Sequence, residues 1–207
     1  MAEAFSFGVD LSLTRGAVVQ VHFTAPSFQD ELCISDLTKV SSWSRGPGVK
    51  ATLTDYNLFL ARQITQPIAA LFPKDGEAAV PIGIDWTPAE IFWRSSKRMG
   101  VMKAYCSGYL HRQLRGLSLY PAFVSPQVVR AIMGLKSNAK KGVVHERFEA
   151  ILPEVLLKRF YSWNEHLRDA AILGLAVRRF MERSPGEVLW RKAPLSIASS
   201  FSSHDTE

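Results

Sequence analysis

Residues 7–16 read Phe-Gly-Val-Asp-Leu-Ser-Leu-Thr-Arg-Gly, and they place Asp10 at the end of an apolar run. A turn follows, and then a β-branched run from Ala17 to Phe23, so we expect two strands joined by a short loop. A bare carboxylate is costly to bury, so such groups are normally paired, protonated or bound to a metal ion. The pattern therefore predicts that Asp10 is a functional residue on the first strand.

Two more acidic residues interrupt apolar sequence. Asp85 ends the run Val-Pro-Ile-Gly-Ile at 80–84, and Asp169 opens a run of small and apolar residues at 170–176, with His166 three positions earlier. Residues three apart on a helix share a face, so His166 and Asp169 would project together. The small residues after Asp169 would let that helix approach the sheet closely. We therefore expect a composite acidic site of Asp10, Asp85, His166 and Asp169.

Apolar periodicity and Pro or Gly breaks indicate the remaining elements. Helices are expected at 54–71, 95–116, 126–135, 139–152 and 163–182, with Thr54 as the first N-cap. Further strands are expected at 32–35, 78–85 and 119–124, and a loop at 41–50. Strands come first and then alternate with helices, which predicts an α/β fold with a mixed sheet flanked by helices on both faces. We expect one domain over 1–183 and a flexible, Ser-rich tail over 184–207.

Composition favours a polyanionic partner. The chain has 207 residues, of which 25 are Lys or Arg and 19 are Asp or Glu, so its net charge is +6. Nucleic acid is the first expectation and an anionic membrane surface the second. No stretch reaches the ~20 apolar residues of a membrane span, and we expect a cytoplasmic protein, or one acting in the host cytoplasm if viral. Cys33 and Cys106 are expected to be buried and reduced.

A site built from carboxylates on two strands and one helix suits hard divalent cations. Mg²⁺ prefers oxygen ligands and keeps several waters. Two such ions, ~3.5–4 Å apart, can activate a water molecule and stabilise the leaving oxygen of a phosphodiester. The pattern therefore indicates phosphodiester hydrolysis, with Mg²⁺ or Mn²⁺ as the cofactor.

Four short sequence segments, taken in chain order, resemble those of the RuvC-type Holliday junction resolvases of the RNase H-like superfamily. Residues 8–16 resemble the family's first strand, which carries the first metal carboxylate, and 82–85 resemble the strand with the second. Residues 134–141 resemble a lysine-bearing segment before a helix, and 166–170 the start of the last helix. The resemblance implies an RNase H-like fold and a metal-dependent endonuclease. It further implies a homodimer that resolves branched DNA such as a four-way junction.

The chain departs from the family pattern at two positions. Glutamate is usual at the second carboxylate, where this chain has Asp85; Glu90 would replace it if the register differs. The last pair is often Asp-x-x-Asp, whereas here its first member is His166. Histidine is a poorer ligand for magnesium than for manganese. A neutral His166 could instead act as the general base toward water.

Basic and aromatic residues suggest where DNA would bind. Contacts to DNA phosphates are expected from two groups, although a solvated helix face would show the same pattern: Lys97 and Arg98, and Lys136, Lys140 and Lys141. Four aromatic residues could stack on bases or lie in the core: Trp43, Trp86, Phe92 and Trp93.

Two other functions fit parts of the sequence. One is a nucleic-acid-binding module that keeps this fold without its chemistry, which the departures at Asp85 and His166 would permit. The other is an actin-like phosphotransferase, because 10–14 approximate the phosphate loop of that fold. Such enzymes generally need two similar lobes, and a chain of 207 residues with no internal repeat argues against them.

Overall fold

The computed structural model describes residues 4–12, 14–24, 33–48, 50–71, 80–85, 97–117 and 119–183, without the side chains of 97–104 and 181–183. Elements are numbered over these residues. The expected tail at 184–207 lies outside them, as do Glu90, Trp86, Phe92 and Trp93. No helix in this part of the chain is both long and apolar enough to cross a membrane.

Five strands of the described residues form one mixed sheet. They are β1 (Ala4–Asp10), β2 (Gly16–Thr24), β3 (Cys33–Trp43), β4 (Val80–Asp85) and β5 (Leu119–Val124). Their spatial order is β3-β2-β1-β4-β5. The first three strands are antiparallel neighbours, whereas β1–β4 and β4–β5 are parallel pairs. The α/β class and the mixed sheet expected from the sequence are confirmed.

Helices cover both faces of this sheet. On one face lie α1 (Leu53–Leu60), a π-helical turn (Ala61–Thr65), α2 (Gln66–Ala69) and α3 (Lys97–Arg115). On the other lie α4 (Pro126–Ile132), α5 (Lys141–Glu149), α6 (Glu154–Ser162) and α7 (Glu165–Arg183). Each face has its own hydrophobic core. The buried side chains of β2 alternate between the cores, because successive residues of a strand point to opposite faces: Val18 belongs to the first, and Val19 and Val21 to the second.

Glycine and small residues let α7 lie unusually close to the sheet. A Cβ atom built on Gly8 would lie 1.8 Å from the Ala170 carbonyl oxygen, and one on Gly83 would lie 2.6 Å from that of Leu173. The buried Ser6 hydroxyl donates to the Gly174 carbonyl at 2.7 Å, across the same interface. The close approach fixes the position of α7 relative to the carboxyl end of β1.

Proline explains the π-helical turn after α1. Pro67 has no N–H, so the carbonyl of Gln63, four residues earlier, lacks its α-helical donor. The Ser41 hydroxyl of β3 donates to that carbonyl instead. The sequence predicted one helix over 54–71, and the structure changes helix type within that range.

Several expectations about local structure were wrong. The cap of α1 is Thr52, which forms a capping box with Asp55, rather than Thr54. Residues 41–43 continue β3 instead of forming a loop, because they pair with β2. Helix α6 was not predicted. Cys106 is buried as expected, but Cys33 is exposed, because it begins β3 on the side opposite Ile34.

Trp43 is a core residue. It is 7% exposed, its ring meets Phe59 edge to face, and its Nε1 donates to the Ser12 carbonyl at 3.1 Å. The suggestion that Trp43 stacks on bases is therefore wrong. The hydrogen bond instead ties the end of β3 to the loop that follows Asp10.

Candidate active site

Asp10 and Asp85 end adjacent parallel strands. The register of β1 and β4 pairs Val9 with Ile84, so the next residue along each strand is an aspartate. Carboxyl ends of neighbouring parallel strands meet at one edge of a sheet. The two side chains both line the same cavity there, as the sequence predicted.

Helix α7 brings His166 to Asp10. The Nδ1 atom of His166 lies 2.6 Å from Oδ2 of Asp10. An ionised carboxylate can only accept, so the proton of this hydrogen bond belongs to Nδ1. In the neutral ring the lone pair then lies on Nε2, which is the atom left to accept a proton or to bind a ligand.

Burial and negative charge raise the pKa of Asp10 from its ordinary value of 3.8 to about 6. Loss of solvent is the largest cause, and the charges of Asp169 and Asp85 act in the same direction, whereas the hydrogen bond from His166 opposes them. The Asp10 side chain is 15% exposed. A carboxylate in this setting lacks a full positive counter-charge, which a bound cation would supply.

Asp169 is held by two donors from α5. Its Oδ2 accepts from Nζ of Lys141 at 2.5 Å, and its Oδ1 lies 2.8 Å from Nε2 of His145. Lys141 also donates to Glu165 at 2.5 Å. Hydrogen bonds and the charge of this lysine lower the pKa of Glu165.

A cavity of about 300 Å³ lies between Asp10, Asp85 and Asp169. Its wall carries both strand-end aspartates, Asp169 and the two α5 donors, with apolar side chains of α4, α5 and α7 beneath them. The lining residues are Asp10, Asp85, Pro126, Val129, Arg130, Lys141, Val144, His145, Asp169, Ile172 and Leu173. Of the predicted acidic set, Asp10, Asp85 and Asp169 thus line the cavity directly, and His166 is bonded to Asp10.

Arg130 places a cation on the wall of this acidic cavity. Its guanidinium donates to the Ser137 carbonyl at 3.1 Å, while its buried Nε has no hydrogen-bond partner among the described residues. A backbone carbonyl therefore anchors the guanidinium of Arg130 at the wall of the cavity. Arg130 and Lys141 are well placed for a phosphate anion.

The structure places the other predicted basic residues in two segments. Lys136 and Lys140 are exposed, in the segment between α4 and α5. Lys97 and Arg98 lie at the start of α3, and their side chains are outside the described part of the structure. Lys141, expected to contact DNA phosphates, bonds to the carboxylates of Glu165 and Asp169 on α7.

Sequence reasoning missed Arg130 and His145. Each lies on a predicted helix that was assigned no role. The available signal was spacing: His145 is four residues after Lys141, so both project from one face of α5. Only the packing of α5 against α7 shows that this face meets Asp169.

The chemistry of the donor set fits a hard divalent cation, since three carboxylates line the cavity. The present spacing of these side chains does not fit such a cation, because within the described residues no three side chains of ligand type are grouped to hold an ion. Lys141 and His145 occupy both oxygens of Asp169 instead. An ion at Oδ2 of Asp169 would lie beside the ammonium group of Lys141, and repulsion between the two positive charges would favour displacement of the lysine.

Solved structures with a similar fold are Holliday junction resolvases. RuvC of Thermus thermophilus matches with a TM-score of 0.60 and 11% identity, over 86% of this chain and 96% of RuvC. The T. thermophilus protein in complex with Holliday junction substrate gives 0.56 and 12%, over 87% and 96%. The yeast mitochondrial Holliday junction resolvase gives 0.53 and 12%, over 86% and 79%. No family model and no curated protein matches the sequence.

These likenesses define the fold. The five-stranded mixed sheet with helices on both faces is the RuvC type of RNase H-like fold. The fold class expected from the sequence segments at 8–16, 82–85 and 166–170 is therefore confirmed.

Proposed function

We propose that the protein is a metal-dependent, structure-selective DNA endonuclease that resolves Holliday junctions or other branched DNA. One observation carries the proposal. Three carboxylates and a histidine from β1, β4 and α7, distant in sequence, converge at one cavity on a RuvC-type fold. Such a set is suited to phosphodiester hydrolysis with divalent ions.

The proposed chemistry divides between the carboxylates and His166. Mg²⁺ or Mn²⁺, held by Asp10, Asp85 and Asp169, would supply Lewis acidity at the scissile phosphate. Asp10 orients His166 through Nδ1, which leaves Nε2 to take a proton from the attacking water. Arg130 and Lys141 would hold the non-bridging phosphate oxygens.

The proposed substrate is branched DNA. A net charge of +6 and exposed lysines near the cavity favour attraction to the phosphate backbone. A protein of similar fold has a structure in complex with Holliday junction substrate. The preference for a junction is the part of the proposal that rests on this comparison.

Incubation with four substrates tests the proposal: a four-way junction, a flap, a linear duplex and an RNA–DNA hybrid, each with Mn²⁺ and with Mg²⁺. We expect cleavage of branched DNA that requires the ion. Asp10→Asn should abolish cleavage and retain junction binding. Cleavage of the hybrid alone would indicate a ribonuclease instead.

The second candidate is a binding module without catalysis. It is favoured by the two donors on Asp169, which leave no group of three ligand-type side chains assembled among the described residues. Tight junction binding with no cleavage in either ion would support it. Cleavage by the intact protein, lost in Asp10→Asn, would exclude it.

A further inference from the structure

The two hydrogen bonds to Asp169 differ in how firmly they are held. His145 and Lys141 both come from α5, and each takes one oxygen of the same carboxylate. The side chain of the histidine is 12% exposed, whereas the lysine is a long chain that is 51% exposed. This contrast assigns them different roles.

Packing fixes His145. Its side chain is 12% exposed, and its ring meets the buried ring of Phe160 edge to face, with centroids 6.4 Å apart. Its neighbours Val144 and Phe148 on α5 belong to the core. The Nε2–H donor therefore stays beside Asp169 whatever else binds there.

Lys141 is held weakly by comparison. It is 51% exposed, and its second partner, Glu165, is 59% exposed. Ion pairs between exposed groups contribute little to stability. The Asp169 side chain is 21% exposed, and the half-exposed lysine that reaches it can rotate away into solvent. A cation that binds Asp169 more tightly can replace it.

We propose that His145 is a positioning residue for Asp169, and that Lys141 is an exchangeable cation which a divalent ion displaces from the other oxygen. His145 orients the ligand, so Oδ2 faces the cavity when Lys141 leaves. The proposal rests on the proposed function only in taking Asp169 as an ion ligand.

The two roles predict changes of opposite sign in ion affinity. Outer partners of metal ligands typically contribute a factor of about 10–100 to affinity. Loss of the His145 donor should therefore raise the Kd for Mn²⁺ by about that factor. Loss of Lys141 should lower the Kd, because the ion no longer has to displace an ammonium group.

Calorimetric titration of the full chain with Mn²⁺, without DNA, tests both roles. The variants are His145→Leu, His145→Gln and Lys141→Met. We expect weaker binding for the leucine variant and near-normal binding for the glutamine variant, whose amide can donate in place of Nε2–H. Lys140→Met is the control, because it removes the same charge one residue away from Asp169.

Four results would overturn the proposal. They are an unchanged Kd in His145→Leu, equally weak binding in His145→Gln, no tightening in Lys141→Met beyond that of Lys140→Met, and no binding of Mn²⁺ by the unmodified chain. If the leucine variant does not fold, His145→Met removes the donor with a more adaptable side chain. Junction cleavage is measured in parallel. Mn²⁺ binding without cleavage would contradict the proposed nuclease function. The roles of His145 and Lys141 would then still be tested by the Kd values of the variants.

Discussion

At the scale of single residues, the site is a concentration of negative charge that the fold compensates only in part. Asp10 is largely buried beside His166 and near the charges of Asp85 and Asp169, so its pKa rises to about 6. The folded protein therefore prefers the neutral form of this carboxyl more than the unfolded chain does. Keeping Asp10 ionised at neutral pH costs folding free energy, which is the usual situation of a functional site.

The pKa of Asp10 predicts a pH effect on stability without divalent ions. The folded value of about 6 exceeds the ordinary 3.8, so the folded state binds more protons between these values. The free energy of unfolding should fall as the pH rises from about 4 to above 6, by about 3 kcal/mol in total. Asp10→Asn should remove this decline and be the more stable protein at pH 7.5.

Urea unfolding in EDTA from pH 4.5 to 7.5 measures the effect. Asp55→Asn is the control, because Asp55 is an exposed carboxylate at the start of α1. The free energy of unfolding of this control variant should still fall as the pH rises. Parallel pH curves for the wild-type protein and Asp10→Asn would show that Asp10 ionises normally.

At the scale of elements, the contact between α7 and the sheet determines the site. Asp10 belongs to β1 and His166 to α7, and their 2.6 Å hydrogen bond depends on how closely these elements pack. Gly8 and Gly174 permit that packing. A Cβ on Gly8 would lie 1.8 Å from the Ala170 carbonyl oxygen of α7, and one on Gly174 would lie 2.7 Å from a methyl group of Val21 on β2 and 3.2 Å from the Gly8 nitrogen. The lack of a side chain at these glycines allows the backbone of α7 to approach that of the sheet.

Gly8→Ala should be strongly destabilising. Its methyl group would lie 1.8 Å from the Ala170 carbonyl and 2.5 Å from the Gly174 nitrogen, both of which are backbone atoms. We expect a loss of about 4 kcal/mol or more, or failure to fold. Gly108→Ala is the control: it is mid-helix in α3 with nothing within 4 Å, and should gain roughly 0.5–1 kcal/mol. Similar unfolding midpoints for the two variants would contradict the close approach.

The segment between α4 and α5 should contribute to DNA affinity through charge. Lys140 is exposed and immediately precedes the lysine that faces the acidic cavity. Lys140→Ala should reduce the slope of log affinity against log salt by about one unit, since one phosphate contact is lost. Lys39→Ala, on the edge strand β3, should leave the slope unchanged. A slope unaffected by Lys140→Ala would place that side chain on a solvated surface.

At the scale of the whole molecule, junction resolution requires two equivalent sites. Paired, symmetric incisions across a four-way junction are most simply made by a two-fold dimer, in which each chain would contribute its cavity lined by Asp10, Asp85 and Asp169. We therefore expect twice the mass of one chain by light scattering, and two incisions per bound dimer. A monomer that cuts both strands of a junction at the same rate would contradict this expectation.

Mixtures of active and inactive subunits sharpen the test. When Asp10→Asn is added in excess, heterodimers should nick one strand of a junction instead of resolving it. The nicked product would accumulate in proportion to the mixed dimers. Unchanged resolution by the active chains would indicate that the subunits act alone.

Local sequence patterns predicted the acidic ends of β1 and β4 and the presence of the last helix. Asp10 and Asp85 end apolar runs, and His166 and Asp169 precede a run of small residues. These are local signals, because a carboxylate after an apolar run has a high cost unless it has a role. The same local reasoning missed α6 and mistook the end of β3 for a loop, because both depend on what the segments pack against.

The groups that surround the carboxylates follow from the packing of the helices. No local pattern shows that His145 and Lys141 meet Asp169, or that Arg130 shares the cavity with Asp10. Those contacts arise from the packing of α4 and α5 beside α7, between residues that are distant in the chain. The sequence therefore specified the acidic residues, whereas the fold specified their neutralising partners, because pairing of charges depends on distance in space.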